Sequence, residues 1–390
     1  MRISQRLQQL KPSATMAVSA KAMDLRAQGR EIISLSVGES DFPTPDNICA
    51  AAKRAIDEQF VRYTQVPGTP ELRTAVAGYF KRCYDISAPM EATITTNGGK
   101  QGLFNLFQAL LDPGDEVLIP APYWVSYPPM VELAQGVPVT VPSPAERGFK
   151  ITVEDLEKYT TPKTRMLILN SPSNPTGCHY SQAEIDALAE YAIAKGLFIV
   201  SDEIYDRLVF APAQPSTLAG WWVKHPEQVA VVNGLAKSFS MTGWRVGFIL
   251  THPDLIKALS KIQGQSTSNI CSIAQKAATE ALNGPWDMLK TVNATFAQRR
   301  DRIMELVAEW PDVLCPRPEG AFYIFPDVHA HYKPEYPDSA ALCTYLLEKA
   351  GVATVPGAAF GDDRCIRISY ALDEATLKTA MGKIADVLFG

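Results

Sequence analysis

Seven short apolar runs recur through the middle of the chain, at residues 92–96, 116–120, 137–141, 166–170, 197–201, 229–233 and 246–250. Most are rich in β-branched residues and too short for helices, which predicts buried strands. Helical spacing lies between several of them. Residues 101–111 form one such segment. Another runs from Ser181 to about Lys195, with Ser181 and Glu184 at capping-box spacing. Strands alternating with helices predict a mostly parallel sheet covered by helices on both faces. The ends read differently. Residues 14–28 predict a helix and 34–37 a short strand, followed by the Gly- and Pro-containing segment 38–45. Beyond about Trp286, a charged helix at 291–309 precedes short strands at 321–325 and 365–369 and helices at 339–350 and 374–388. The fold class expected is therefore α/β. A large α/β domain is placed at 46–285, and a smaller α+β domain combines 1–45 with 286–390.

Composition narrows this picture. A chain of 390 residues exceeds one ordinary compact domain, and 46% hydrophobic residues suffice for a sizeable core. The net charge of −5 comes without any block of like charge, so no nucleic-acid partner is expected. No membrane span is expected either, because the uncharged stretch 117–131 contains four prolines. Arg2, Arg6, Lys11, Lys21 and Asp24 interrupt the N-terminal region, which lacks the apolar core of a secretory signal. Seven scattered cysteines without a C-x-x-C pair point to reduced thiols and a cytoplasmic location. His329 and His331 are closely spaced, but their polar surroundings favour a surface reading, and no metal is expected.

In open α/β sheets, ligands bind beyond the carboxyl ends of the strands. The residues just past each predicted strand are therefore informative. After 92–96 come Asn97-Gly98-Gly99-Lys100-Gln101 and a helix, where backbone N–H groups and the helix dipole suit a phosphate. Gly-Gly before a helix is more often only a turn. Residues 166–170 lead into Ser171-Pro172-Ser173-Asn174-Pro175-Thr176-Gly177. Residues 197–201 lead into Asp202-Glu203-Ile204-Tyr205, where the acid could equally cap a helix. After 229–233 comes Gly234-Leu235-Ala236-Lys237-Ser238; most lysines in such loops are solvated charges. Arg245 enters an apolar strand and calls for an anionic partner, either a phosphate or a structural carboxylate.

Together these pieces resemble the class I aminotransferases, fold-type I enzymes that use pyridoxal 5'-phosphate. The resemblance covers nearly the whole chain. It rests on Ala236-Lys237-Ser238-Phe239-Ser240-Met241-Thr242-Gly243-Trp244-Arg245-Val246-Gly247, on Asn174-Pro175-Thr176-Gly177 and on Ser201-Asp202-Glu203-Ile204-Tyr205, in that family's order. Lys11-Pro12-Ser13-Ala14-Thr15 and Ala121-Pro122-Tyr123-Trp124-Val125-Ser126-Tyr127-Pro128 favour the bacterial aspartate aminotransferases. The resemblance implies that Lys237 carries the cofactor as a Schiff base and later moves the substrate proton. It implies that Asp202 pairs with the pyridine nitrogen, that Tyr205 and Asn174 bond the ring oxygen, and that Trp124 stacks on the ring. Arg245, Gly99 and the following amides, with Lys100, would surround the phosphate. Tyr63 matches a tyrosine reaching the phosphate from a neighbouring subunit, which implies a homodimer with shared sites. Arg367 would hold the substrate α-carboxylate, with Gly38, Trp124 and Asn174 lining the same place. One departure is Gly234, where the family carries a hydroxyl.

Lys100 matches a lysine facing the distal carboxylate of an acidic substrate. A cation in a first helical turn is mildly unfavourable, so its presence there wants a reason. Lys11 is a second candidate. The expected reaction moves the amino group of an L-amino acid, aspartate foremost, to 2-oxoglutarate by ping-pong transamination. The alternatives on this scaffold are an aromatic, kynurenine or prephenate aminotransferase, or a carbon–sulfur lyase. A non-catalytic regulator on this fold would need an added DNA-binding module, and no spare segment supplies one.

Overall fold

The computed structural model describes residues 2–4, 7–8, 10 and 14–390. Lys11, with the Lys11-Pro12-Ser13 part of the N-terminal motif, lies outside the described residues. A two-residue strand β1 (Ile33–Ser34) precedes the seven strands expected from the apolar runs. These are β2 (Thr93–Asn97), β3 (Glu116–Ala121), β4 (Val137–Pro142), β5 (Thr164–Asn170), β6 (Phe198–Asp202), β7 (Val229–Gly234) and β8 (Val246–Leu250). They form one sheet in the order β2-β8-β7-β6-β5-β3-β4. Only β8 runs against its neighbours β2 and β7.

Alternate residues of one strand enter different cores. Leu167 and Leu169 of β5 face the core shared with the helices Gln182–Ala194 and Ser272–Asn283. Met166 and Ile168 face the core shared with Gly99–Leu110 and Pro253–Gly264. Burial on both faces is why these runs are continuously apolar instead of alternating. Ser181 caps its helix through the expected reciprocal box with Glu184.

The remaining strands are short. β9 (Tyr323–Ile324), β10 (Val352–Ala353), β11 (Val355–Pro356) and β12 (Ile366–Ser369) come later in the chain. β1 pairs with β10, and β11-β12-β9 make a three-stranded antiparallel sheet. A separate core lies here. The helix Asp287–Ala308 supplies Val292, Phe296, Ile303 and Val307 at helical spacing, and Glu374–Phe389 supplies Leu377, Met381, Ile384 and Leu388. Four expectations need correction. The strand read at 321–325 is only Tyr323–Ile324, and the helix read at 291–309 begins at Asp287. The strand read at 34–37 is Ile33–Ser34, because only those residues pair, with Val352 and Ala353. The helix read at 339–350 is α-helical only over Ser339–Tyr345 and continues as a π-helical turn, Leu346–Ala350. No helix of the described residues is long and apolar enough to cross a membrane.

Candidate active site

The carboxyl ends of β2, β5, β6 and β7 lie along one edge of the sheet. Because β8 is antiparallel, its beginning lies on that same edge: Val246 pairs with Asn97, and Gly247 with Gly234. Topology therefore delivers Arg245, just before β8, to the place where Gly98, Asn174, Asp202 and Lys237 leave their strands. The end of β3 adds Trp124 and Tyr127.

Lys237 is half-buried as a residue, and its amine, turned inward, donates to the Gly38 carbonyl at 2.5 Å. Its pKa is lowered to about 8, chiefly by burial and then by the Arg367 and Arg245 charges, while Glu39 and Asp202 resist. A lysine in this state is an accessible nucleophile and base near neutral pH. Asp202 is buried at the end of β6. Burial pushes it up to about 6, against the Tyr127 hydroxyl at 2.7 Å, the Ile204 N–H and the Lys237 charge. It caps no helix, which disposes of the structural alternative for this acid. The Tyr205 hydroxyl lies 2.9 Å from that of Tyr323, and the Lys237 amine stands 5.7 Å from the Tyr205 ring centroid.

The phosphate cradle is visible in the backbone. Gly98 precedes the helix Gly99–Leu110 with φ 77° and ψ 162°, a conformation open essentially to glycine alone. A Cβ there would lie 2.5 Å from Nη2 of Arg245. The guanidinium therefore rests directly on the start of a helix whose N–H groups have no helical partner. Arg245 donates to the carbonyls of Thr242 and Asn97, and among the described residues it has no carboxylate partner. Gly234 has no room for the hydroxyl-bearing side chain of the family pattern, since a Cβ would meet the Val246 carbonyl at 2.8 Å. Close approach of β7 and β8 explains that departure.

Arg367, on β12, is buried and points across to the large sheet. It donates to Asn174 Oδ1 at 3.0 Å and to the Ser36 carbonyl at 2.5 Å, while its buried Nε has no partner. Its guanidinium lies 4.6 Å from the Tyr323 ring and 5.2 Å from that of Phe360. Asn174 is fixed from behind by its own N–H to Asn170 Oδ1. Gly177, with φ 69°, lets the same loop pack on the backbone of Gly320 and Tyr323. Lys100 is exposed. Its ammonium stands 4.9 Å from the Trp124 ring, and desolvation followed by the Arg245 charge lowers its pKa. A cavity of about 1090 Å³ opens outward here, lined by Asn97, Lys100, Gln101, Tyr123 and Arg245 among others. Lys237 and Asp202 lie outside its lining, in the buried part of the site.

Among the described residues that the resemblance assigns to cofactor or substrate, one stands apart. Tyr63, in the loop before the helix Pro70–Tyr84, is 92% exposed, whereas the others cluster at the sheet edge. Three residues of the site escaped sequence reasoning. Tyr127 had a signal, since it lies one helical turn beyond Trp124. Tyr323 and Phe360 had none, because both reach the site from short C-terminal elements. His329, by contrast, is bonded to Asp327, and among the described residues no cluster of His, Cys, Asp or Glu could hold a metal.

The donor set fits pyridoxal 5'-phosphate. A buried amine of lowered pKa suits its aldehyde, a buried acid suits its ring nitrogen, and a glycine-only cradle under an arginine suits its phosphate. Such a site defines a pyridoxal-phosphate enzyme of fold-type I. The profile of the family described as aminotransferase class I and II matches residues 30–384. The aspartate/prephenate aminotransferase of Cereibacter sphaeroides is 47% identical over 98% of this chain and 97% of its own. The asparagine–oxo-acid transaminase of Streptococcus mutans is 43% identical over 98% of each chain. The solved aspartate aminotransferase of Thermus thermophilus with maleate superposes with a TM-score of 0.93 at 43% identity, covering both chains fully. The chain belongs to the class I and II aminotransferases and is a pyridoxal-phosphate-dependent aminotransferase.

Proposed function

We propose that the enzyme takes its amino group from aspartate and delivers it to 2-oxoglutarate, in two half-reactions at one site. The observation carrying this reading is a pair of cations without carboxylate partners among the described residues. Arg367 is buried with an unspent Nε, and Lys100 faces the cavity beside Trp124. An acidic amino acid has one carboxylate for each. The maleate in the Thermus thermophilus structure is a dicarboxylate as well.

When bound, the cofactor supplies an electron sink for the carbanion formed at the substrate α-carbon and carries the amino group between substrates. The protein does the rest. Arg367 orients the α-carboxylate as a fork, helped by Asn174. Asp202, supported by Tyr127, would hold a proton on the ring nitrogen. Tyr205 would donate to the ring oxygen, and Trp124 would pack against the ring. Gly98, Gly99 and Arg245 would take the phosphate. Lys237 accepts the proton from the substrate α-carbon and returns one, a task suited to an amine with a pKa near 8.

The same reading divides the chain into a cofactor-holding unit, 46–285, and a smaller unit of 1–45 with 286–390 that carries Arg367. The seven-stranded sheet falls within the first range and the two small sheets draw on the second, which supports this division. It also makes the enzyme a homodimer: a tyrosine as exposed as Tyr63 suits a partner's phosphate. Seven unpaired cysteines suit a cytoplasmic location.

The test is an absorbance spectrum of the holoenzyme before and after adding aspartate without any oxo acid. A visible cofactor band that moves to the near-ultraviolet supports the proposal. A band that ignores aspartate rejects the substrate. The names of the relatives make asparagine and prephenate the next compounds to try. Release of ammonia and pyruvate without an oxo acid would instead mark a lyase.

A further inference from the structure

Tyr323 is the residue of the buried site that the proposed roles leave unused, and it touches three of the groups that have roles. Its hydroxyl lies 2.9 Å from that of Tyr205. Its ring lies under the Arg367 guanidinium at 4.6 Å. A Cβ on Gly38, whose carbonyl holds the Lys237 amine, would stand 2.6 Å from the Tyr323 hydroxyl. The residue is fully buried, on β9, which is hydrogen-bonded to the strand that carries Arg367. Its hydroxyl therefore joins the three-stranded C-terminal sheet to the end of the large one, in the middle of the site.

We propose that Tyr323 is a positioning residue that couples carboxylate binding at Arg367 to the hydrogen bond Tyr205 makes in the site. The inference rests on the reading of Arg367 and Tyr205 given above. Two hydroxyls 2.9 Å apart share one proton between them, and the orientation decides what is left over. If Tyr323 donates, the Tyr205 proton is free to point at the cofactor oxygen, and a hydroxyl that accepts a bond is also a better donor. The guanidinium, stacked 4.6 Å from the Tyr323 ring, favours that direction: its charge lowers both phenols, but at Tyr323 it is the leading opposition to burial, whereas at Tyr205 the neighbouring Tyr323 outweighs it upward. A carboxylate arriving at Arg367 neutralises this charge. Tyr323 then donates more weakly, and the change passes to Tyr205 through one bond. The aromatic faces of Tyr323 and Phe360 also hold the guanidinium flat, so the stack and the hydroxyl are separable functions of one side chain.

Tyr323→Phe keeps the stack and removes the donor. The readout is the pH midpoint of the visible cofactor band, measured with and without saturating succinate, an unreactive dicarboxylate. Tyr205 donation favours the deprotonated form, so its weakening raises the midpoint by about half a unit. Succinate displaces the midpoint in the wild type, and this displacement shrinks in Tyr323→Phe, whereas succinate affinity for the cofactor-free protein stays within about twofold because the stack survives. Tyr323→Leu removes the stack as well and weakens succinate about tenfold. Should Tyr323→Phe fail to fold, Tyr205→Phe reads the pair from the other side and shows the same shrunken displacement. A midpoint and a succinate displacement equal to the wild type in either phenylalanine variant would overturn the role of Tyr323. A wild-type band that succinate never moves would instead remove the substrate reading, and this inference with it.

Discussion

Adding one methyl group at Gly98 tests the phosphate cradle with little chemistry of its own. The glycine sits at φ 77° and ψ 162°, where an alanine costs about 1–3 kcal/mol in the backbone alone. The new Cβ would lie 2.5 Å from Nη2 and 3.0 Å from Cζ of Arg245. The guanidinium is the far end of a flexible side chain, so it swings away and leaves the helix start. A charge-assisted bond to phosphate contributes about 1.5–3 kcal/mol, which makes the expected loss of cofactor affinity roughly tenfold to a hundredfold. The assay is titration of the cofactor-free variant with pyridoxal 5'-phosphate, followed at the visible band. Gly114→Ala is the control. Its φ is 92° and no atom lies within 4 Å of its Cβ, so it carries backbone strain without touching Arg245. It lowers thermal stability and leaves cofactor affinity unchanged. Wild-type affinity in Gly98→Ala, or an equal loss in Gly114→Ala, would refute the cradle.

Further outcomes are set by the charges. Lys100→Ala raises the KM for aspartate about tenfold, as expected for losing one partly solvated charge contact, and leaves an uncharged amino acid nearly unaffected in the same steady-state assay. Tyr127→Phe removes the 2.7 Å bond that holds Asp202 down, so cofactor affinity at pH 8 falls by about 1 kcal/mol, measured by the same titration. For the cofactor-free protein, the Asp202 carboxyl is raised from 3.8 to about 6, so its contribution to stability is present below about 4 and lost as pH rises through 6. Asp202→Asn therefore flattens the melting-temperature profile across that window.

Most of the large sheet was legible because its strands are buried on both faces and read as continuous apolar runs. All seven were located within two residues at either end. The short strands were harder, since a pair such as Val352–Ala353 carries no period and exists only because β1 lies beside it. In the site, Lys237, Asp202, Asn174 and Arg245 were legible as strand-end residues in an ordered series of motifs. Tyr323 was not: it meets Tyr205 across 118 positions of sequence, through a strand of two residues. Gly234 shows the reverse case. Its missing hydroxyl was visible in sequence, but the reason, a Val246 carbonyl 2.8 Å from any Cβ, exists only in three dimensions.

The cofactor-free site is built at the expense of the fold, and this gives Lys237 a second measurable property. Its pKa falls from 10.5 to about 8, so the folded protein holds the amine's proton less tightly than the unfolded chain does. For a base with a lowered folded value, the associated stability is present above the unfolded pKa and lost as pH falls through the folded one. At pH 7 the charged amine is therefore a cost, on the order of 1–3 kcal/mol once its bond to the Gly38 carbonyl is allowed for. Lys237→Met removes the charge and retains apolar bulk. The cofactor-free variant should melt higher than the cofactor-free wild type at pH 7, and the gap should close as pH rises from about 8 toward 10.5. Cofactor should reverse the order, because only the wild type binds it through the amine and gains the corresponding linkage stabilisation. A Lys237→Met protein less stable than the wild type at pH 7 without cofactor would mean that the amine is held by the fold rather than strained by it, and the argument for its lowered pKa would fail.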